Sequence, residues 1–346
     1  MKKYLKRILI GFLLILVVLA VAYRDLLSYG FAQARGQFGI LTNTRPIVEV
    51  LQDASFPDSL KKQLRLIADI KRFAVDSLGL DDSGSYTALY DQKGKPILWV
   101  ITASQKYQLL AKEWAFPVIG SFAYKGFFDT TRAQIEEKAL IAAGYDTQIG
   151  EVSAWSTLGF LKDPILSSML YRGEGSLASL IMHEMTHGTL FVKDNLELNE
   201  NLANFVGDYG ATRFMRARYG ANSPQLARYA FRKRYNDAFS QHILRGAKQL
   251  DSLYAVFRPT ATTARKDSLK TVIIQNIVAN SDTLLGGLVG QKYRWNPRKS
   301  PNNAFFVGYL TYHVRQNQFR QEFENQFKGN FLGYLRYLKR KYPTSF

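Results

Sequence analysis

The chain of 346 residues has no cysteine, only four histidines, and 28 acidic residues against 46 Lys and Arg, a net charge of +18. The missing thiols exclude disulfides, Cys-ligated zinc, iron–sulfur clusters, thiol nucleophiles and a lipidated amino-terminal Cys. They do not identify a compartment, since a reducing cytosol and an oxidising envelope both tolerate a Cys-free chain. Also absent beyond Tyr23 is any Pro/Gly/Ser-rich linker or repeat, so 24–346 reads as one continuous unit. At 47% hydrophobic and 21% charged, the composition excludes a disordered or collagen-like chain. The length suffices to bury a substantial core.

Residues 1–7 carry Lys2, Lys3, Lys6 and Arg7, and an unbroken apolar run follows from Ile8 to Ala22. A basic stub before such a run places the amino terminus in the cytoplasm and everything after Tyr23 outside it. The run is short for a span, and Ala20-Val21-Ala22 has the small-x-small form of a cleavage site. No polar region precedes that site, however, and Tyr23 can anchor at the interface. An uncleaved membrane anchor over 8–23 is therefore the expectation, with a cleaved signal segment as the alternative. Basic charge on a tethered domain draws it to anionic headgroups. No DNA- or RNA-binding signature accompanies that charge, so nucleic acid is not an expected partner.

In 44–80, Leu60, Leu64, Ile67 and Phe73 recur at helical spacing, broken at Pro46 and Pro57. Tyr86–Tyr90 and Ile97–Thr102 flank Asp91-Gln92-Lys93-Gly94, a hairpin signature. Further strands are expected at Pro117–Phe128 and Thr147–Ser156, with a helix over Thr130–Ala143 stopped by Gly144. Helices follow at 176–191, 199–218, 224–254, 267–280, 302–317 and 319–340. A small mixed sheet followed by a mainly helical half is an α+β plan.

Two of the four histidines lie in His183-Glu184-Met185-Thr186-His187. On a helix, positions i and i+4 project from one face, so both imidazoles can grip one metal ion. Glu184 lies about 100° around from His183, where a carboxylate can take a proton from a water beside the metal. Ser176 is a plausible amino-terminal cap, and Gly188 would let another element approach. A catalytic zinc needs a third protein ligand. Glu200 is preferred, with Glu197 as runner-up, while Asp194 reads as an outer partner. Asn199 can cap the helix that carries Glu200, and Ala203 and Gly207 leave room for it to pack on the metal helix. Asn204 and Asp208 share the Glu200 face and could orient the ligating His.

At these residues the sequence resembles the predicted bacterial aminopeptidases of the zincin type. The resemblance runs through Tyr29–Arg45, Phe116–Asp129, Ala154–Pro164, His183–Gly207 and Asn302–His313, and its specific part is HEMTH followed by VKDNLELNENLA. It implies a zincin-like fold, His183, His187 and Glu200 as ligands of one zinc per chain, and Glu184 as catalytic base. Family members often begin with a lipoprotein signal ending in Cys, and here that role falls to Ile8–Tyr23.

Such sites usually add a side-chain donor to the oxyanion. Tyr309, Tyr312 and His313 are candidates, Tyr312 and His313 preferred. The Thr147–Ser156 strand is a candidate edge for an extended peptide. Trp155, Tyr124 and Phe127 read equally as pocket walls or core. An aminopeptidase must also hold an α-ammonium, for which Glu151, Glu174 and Glu197 are available. The last helix, Phe331–Phe346, is expected to pack on the domain with a wet basic face, the alternative being a membrane surface. The sequence thus predicts a membrane-tethered, extracytoplasmic zinc peptidase with a peptide substrate. The rival is a non-catalytic metal- or peptide-binding envelope scaffold, which would have no use for Glu184.

Overall fold

The computed structural model describes residues 2–116, 120–152, 154, 157, 161–281, 284 and 300–343. The chain divides into two compact units, Met1–Thr44 and Arg45–Phe346. The first holds α1 (Lys2–Ala22) and α2 (Arg24–Thr42). Its apolar run is helical with none of its described residues buried, and Tyr4–Ala22 is, among the described residues, the one stretch long and apolar enough to cross a membrane.

The second unit begins within β1 (Thr44–Pro46) and continues through α3 (Ile47–Gln52), α4 (Asp58–Leu78), β2 (Ala88–Tyr90), β3 (Trp99–Gln105), β4 (Trp114–Phe116), β5 (Gly120–Phe122), β6 (Tyr124–Phe127), α5 (Thr130–Ala142), β7 (Tyr145–Glu151) and β8 (Ile165–Leu166). Helices α6 (Glu174–Thr189), α7 (Leu196–Tyr219), α8 (Pro224–Ala255), α9 (Thr263–Ser281), α10 (Asn303–His313), α11 (Gln316–Phe327) and α12 (Phe331–Lys341) follow. This is the mixed α+β plan that the sequence predicts, with the short strands confined to residues 44–166 and helices alone after 174 among the described residues.

Local turn chemistry and long-range pairing part company at the expected hairpin. Lys93 (φ 50°) and Gly94 (φ 71°) do form a left-handed turn. Yet β2 pairs in parallel with β8, Leu89 opposite Ile165, while β3 runs antiparallel between β6 and β7. Leu89 and Ile165 are both buried, and pairing that satisfies the core overrides the nearest turn. Tyr86 lies outside β2, in a left-handed conformation (φ 61°). The expected strand at Pro117–Phe128 is likewise not continuous. β4 and β5 pair with each other, β6 joins β3, and residues 117–119 lie outside the described ones. The Thr147–Ser156 strand is β7, which ends at Glu151 and forms one edge of the β6-β3-β7 sheet.

In the helical half, Phe239, Ile243, Leu250, Ile274, Ile277 and Phe306 of α8, α9 and α10 form one buried cluster, and α6 packs closely on α7 beside it. A Cβ at Gly207 would stand 2.6 Å from the Ser179 carbonyl oxygen and 3.3 Å from His183 Cβ, so only glycine permits this approach. Gly188, by contrast, has its nearest neighbour, Ser83 Cβ, at 3.9 Å and is not the close-approach residue. The expected caps also move. Gly173 rather than Ser176 caps α6, and Asn195 caps α7, accepting from the Leu198 N–H at 3.2 Å. Asn199 lies inside α7 and instead closes the preceding loop, bonding both the N–H (2.9 Å) and the carbonyl (2.8 Å) of Val192.

Helix α10 is held on the sheet by its first two asparagines. Asn302 Nδ2 donates to the Thr147 carbonyl at 2.9 Å, and Asn303 Nδ2 to that of Gln105 at 2.8 Å. Lys328 (φ 49°) and Gly329 (φ 85°) then break the expected 319–340 helix into α11 and α12. Phe331, Tyr334, Leu335 and Leu338 of α12 are buried, and Lys339 pairs with Asp81, so this helix packs on the domain.

Candidate metal centre

His183 and His187, a turn apart on α6, face Glu200 on α7 across the Gly207 crossing. Their Nε2 atoms lie 3.2 Å apart, and Glu200 presents Oε2 3.3 Å from His183 Nε2 and Oε1 3.7 Å from His187 Nε2. One ligand atom from each lies within 4.8 Å of the others. A tetrahedral ion with bonds of about 2.0–2.1 Å has ligand–ligand edges of about 3.3 Å. The two imidazole nitrogens and carboxylate oxygen therefore fit a zinc ion in both spacing and chemistry.

Electrostatics agree with that spacing. Burial opposes charge on His183, but the hydrogen bond and charge of Glu200, the charge of Glu184 and the bond to Asn204 outweigh it, pushing its pKa up to about 9. At His187 burial prevails and the pKa is pushed down to about 4. Burial would raise Glu200, yet the two imidazoles hold it below the usual carboxylate range. These opposed directions favour one positive charge among the three groups, and a metal cation can supply it.

Behind His183, Asn204 Nδ2 donates to the Tyr312 carbonyl at 2.8 Å, which leaves Asn204 Oδ1 to accept from His183 Nδ1 at 2.9 Å. That contact aims Nε2 at the cluster. His187 has no such support, for its Nδ1 is buried without a partner among the described residues.

Glu184 is half-buried, and its charge acts on His183, Tyr312 and Tyr86. Tyr312 is brought to the site. The residue is 36% exposed, and its hydroxyl is pushed above the ordinary tyrosine value by desolvation and by the neighbouring Glu200, Tyr124 and Glu184. His313 is not brought there. Its ring stacks on Tyr309 at 5.2 Å, burial lowers its pKa, and the charges acting on it are those of Asp208, Asp237 and Lys233. One residue of advance along α10 turns the side chain about 100°, so the Glu200 and Glu184 charges act on Tyr312 and not on His313, although both line a cavity with Gln148 and Tyr309.

Asp208 also serves elsewhere, accepting from Ser179 Oγ at 3.1 Å and pairing with Lys233 at 2.8 Å. Glu197 is engaged by Arg315 Nε at 2.6 Å and is not part of the cluster. Asp194 Oδ1 accepts from the Ser121 N–H at 3.0 Å, pinning β5. Tyr124 borders the site and Phe127 is core, whereas Trp155 lies outside the described residues. His242 Nε2 meets the Ile277 carbonyl at 2.8 Å, a structural contact between α8 and α9.

Sequence reasoning missed Tyr86. It is buried, in the left-handed region that bulky residues rarely occupy, with its N–H given to the Asp163 carbonyl at 2.7 Å. Burial raises its hydroxyl pKa, and the charges of Glu184 and Asp163 raise it further. Nothing in Ser85-Tyr86-Thr87 signals this, because the contact depends on residues far along the chain.

What fold and site define is a mixed α+β protein with a buried His–His–Glu group able to hold a metal ion. The chain belongs to the family described as Putative aminopeptidase, whose model matches residues 28–341. No curated protein and no solved structure matches it.

Proposed function

We propose that this protein is a membrane-tethered, zinc-dependent peptidase of the zincin type that acts outside the cytoplasm as an aminopeptidase. The observation that carries this reading is the convergence of His183, His187 and Glu200 within 4.8 Å, with Glu184 beside them on α6. Family membership supports the peptide substrate, and α1 supports the tether, with residues 1–7 in the cytoplasm and 24–346 as the exported domain.

His183, His187 and Glu200 would hold the zinc. When bound, zinc lowers the pKa of a water toward neutrality and polarises a carbonyl. Glu184 accepts a proton as water attacks the peptide carbonyl, then delivers it to the departing amine. The Tyr312 hydroxyl, kept protonated, donates to the developing oxyanion. Asn204 keeps the His183 ring aimed throughout. At the edge of its sheet, β7 offers the substrate a backbone partner. The Thr147 carbonyl points away from β3, to Asn302, so by alternation Ile149 and Glu151 also turn their backbone groups outward.

The test uses the full chain in detergent, measuring zinc content and hydrolysis of a peptide library beside the Glu184→Gln form. Stoichiometric zinc in both, with cleavage falling about a thousandfold in the variant, is the expected result. Zinc in both with cleavage by neither would favour the scaffold, and a chain that takes up no metal would end the proposal.

A further inference from the structure

One turn before Glu200 on α7, and one residue before Tyr312 on α10, a cavity of about 610 Å³ opens, walled by Glu197 and Thr311 among others. The volume is that of a small-ligand pocket. Its other side is the β4–β5 pair, and the alternation of β4 shapes it. Trp114 turns inward, its Nε1–H bonded to Glu136 Oε1 at 3.1 Å, which leaves Ala115 facing the cavity. Ala111 and Ala123 add little bulk, and Phe116 supplies an apolar wall. The space is fixed in place by Asp194. A Cβ at Gly120 (φ 90°) would stand 2.2 Å from Asp194 Oδ1, so the first residue of β5 meets the α6–α7 loop only as glycine.

Four charged groups line this cavity, and three are already engaged. Glu197 is held by Arg315, Asp194 by the Ser121 N–H, and Lys193 has a partner of its own. The fourth, Glu113, is exposed, and among the described residues its carboxylate has no hydrogen bond or ion pair. Of the acids named from sequence for this role, Glu174 faces Tyr219, Glu197 is held by Arg315, and Glu151 does not line this cavity.

We propose that this cavity is the subsite that receives the amino-terminal residue of the substrate, with Glu113 binding a primary ammonium group, either the α-amino group or a lysine side chain. The inference rests on the peptidase reading. It assigns the engaged walls to shape and Glu113 to charge recognition. Glu113 is exposed while the other charged walls are engaged, so an ammonium entering the cavity meets its carboxylate.

The test is equilibrium binding to the full chain in detergent, in the non-hydrolysing Glu184→Gln background, followed by ligand-observed NMR. The probes are L-alaninamide (α-ammonium only), N-acetyl-L-lysinamide (side-chain ammonium only) and N-acetyl-L-alaninamide (neither). Alaninamide is expected to bind about tenfold more tightly than its acetylated form, an advantage that Glu113→Gln removes. If N-acetyl-lysinamide alone has the advantage, the ammonium is that of a lysine side chain. Equal binding of all three probes, or an advantage indifferent to Glu113→Gln, overturns the proposal. Hydrolysis by the native enzyme is scored separately. Cleavage without a Glu113 effect sinks only the subsite, while a Glu113-dependent ammonium advantage in a chain that cleaves nothing sinks only the peptidase reading.

Discussion

The His183–His187–Glu200 group and the Asp146–Lys270–Asn303 group are both buried, and both join elements far apart in sequence, but their charges close differently. Asp146 pairs with Lys270 and accepts the Asn303 N–H at 2.8 Å. Lys270 also donates to the Lys106 carbonyl at 2.9 Å, and Asn303 Oδ1 accepts from Tyr254 at 2.7 Å. That network supplies its own counter-charge and satisfies its donors. The histidine cluster sets one carboxylate against two ring nitrogens at 3.2 Å, and its balancing charge is an exchangeable one rather than a fixed lysine. A buried network with fixed counter-charges specifies a packing arrangement, whereas one balanced by an exchangeable charge can take a metal ion in its place.

The largest effect that tests this contrast is His187→Gln, which keeps the side-chain volume. Zinc retention after dialysis should be lost with it, while the urea midpoint measured in chelator stays near that of the native chain. A large loss of metal-free stability would mean the cluster is structural. Asp146→Ala should do the reverse. It leaves Lys270, whose pKa burial already lowers against the pull of Asp146, without its partner. An unfolding free energy lower by about 3–5 kcal/mol is expected, with zinc still stoichiometric in the folded fraction. If Asp146→Ala removed zinc from folded protein, the two networks would be one.

The same contrast explains what could be read from the sequence. His183 and His187 carry their geometry in a four-residue spacing, and Glu200, Ala203 and Gly207 carry theirs in a helical stripe, so these were legible. The mixed plan of short strands before helices was legible from periodicity. The Asp146–Lys270–Asn303 network was not, because Asp146 lies more than a hundred residues from both partners and none of the three is unusual locally. Asp208 shares a stripe with Glu200 and Asn204, but Lys233 on α8 claims it, and no spacing within α7 reveals that. The β2–β3 turn was visible while its strands' partners were not. Turn chemistry is local and strand pairing is decided by the core.

A smaller effect separates the two ligating rings. Asn204 holds His183 from behind, and His187 has no equivalent partner. Asn204→Ala should therefore weaken zinc binding about 10–100-fold without abolishing it, measured by competition with a chromophoric chelator. Loss as complete as with His187→Gln would make Asn204 part of the fold of α7 rather than a support for the ring.

The smallest effect extends the rule to a half-solvated network. On α11, Glu322 accepts from Tyr334 (2.8 Å), Tyr337 (3.0 Å) and Lys341 (2.7 Å), tying α12 down. Burial works to raise its pKa, but the bonds from Lys341, Tyr334 and Tyr337 outweigh it and the net direction is downward. A carboxylate whose folded pKa is depressed contributes stability above its unfolded pKa and loses it as pH falls through the folded value. Glu322→Gln should thus cost about 1 kcal/mol at neutral pH. The gap to the native chain should narrow as pH drops below the usual carboxylate range. Because this network is complete without a ligand, zinc content and hydrolysis at neutral pH should be unchanged. A change in either would show that a self-satisfied cluster can still be coupled to the centre, and would break the distinction drawn between the two buried groups.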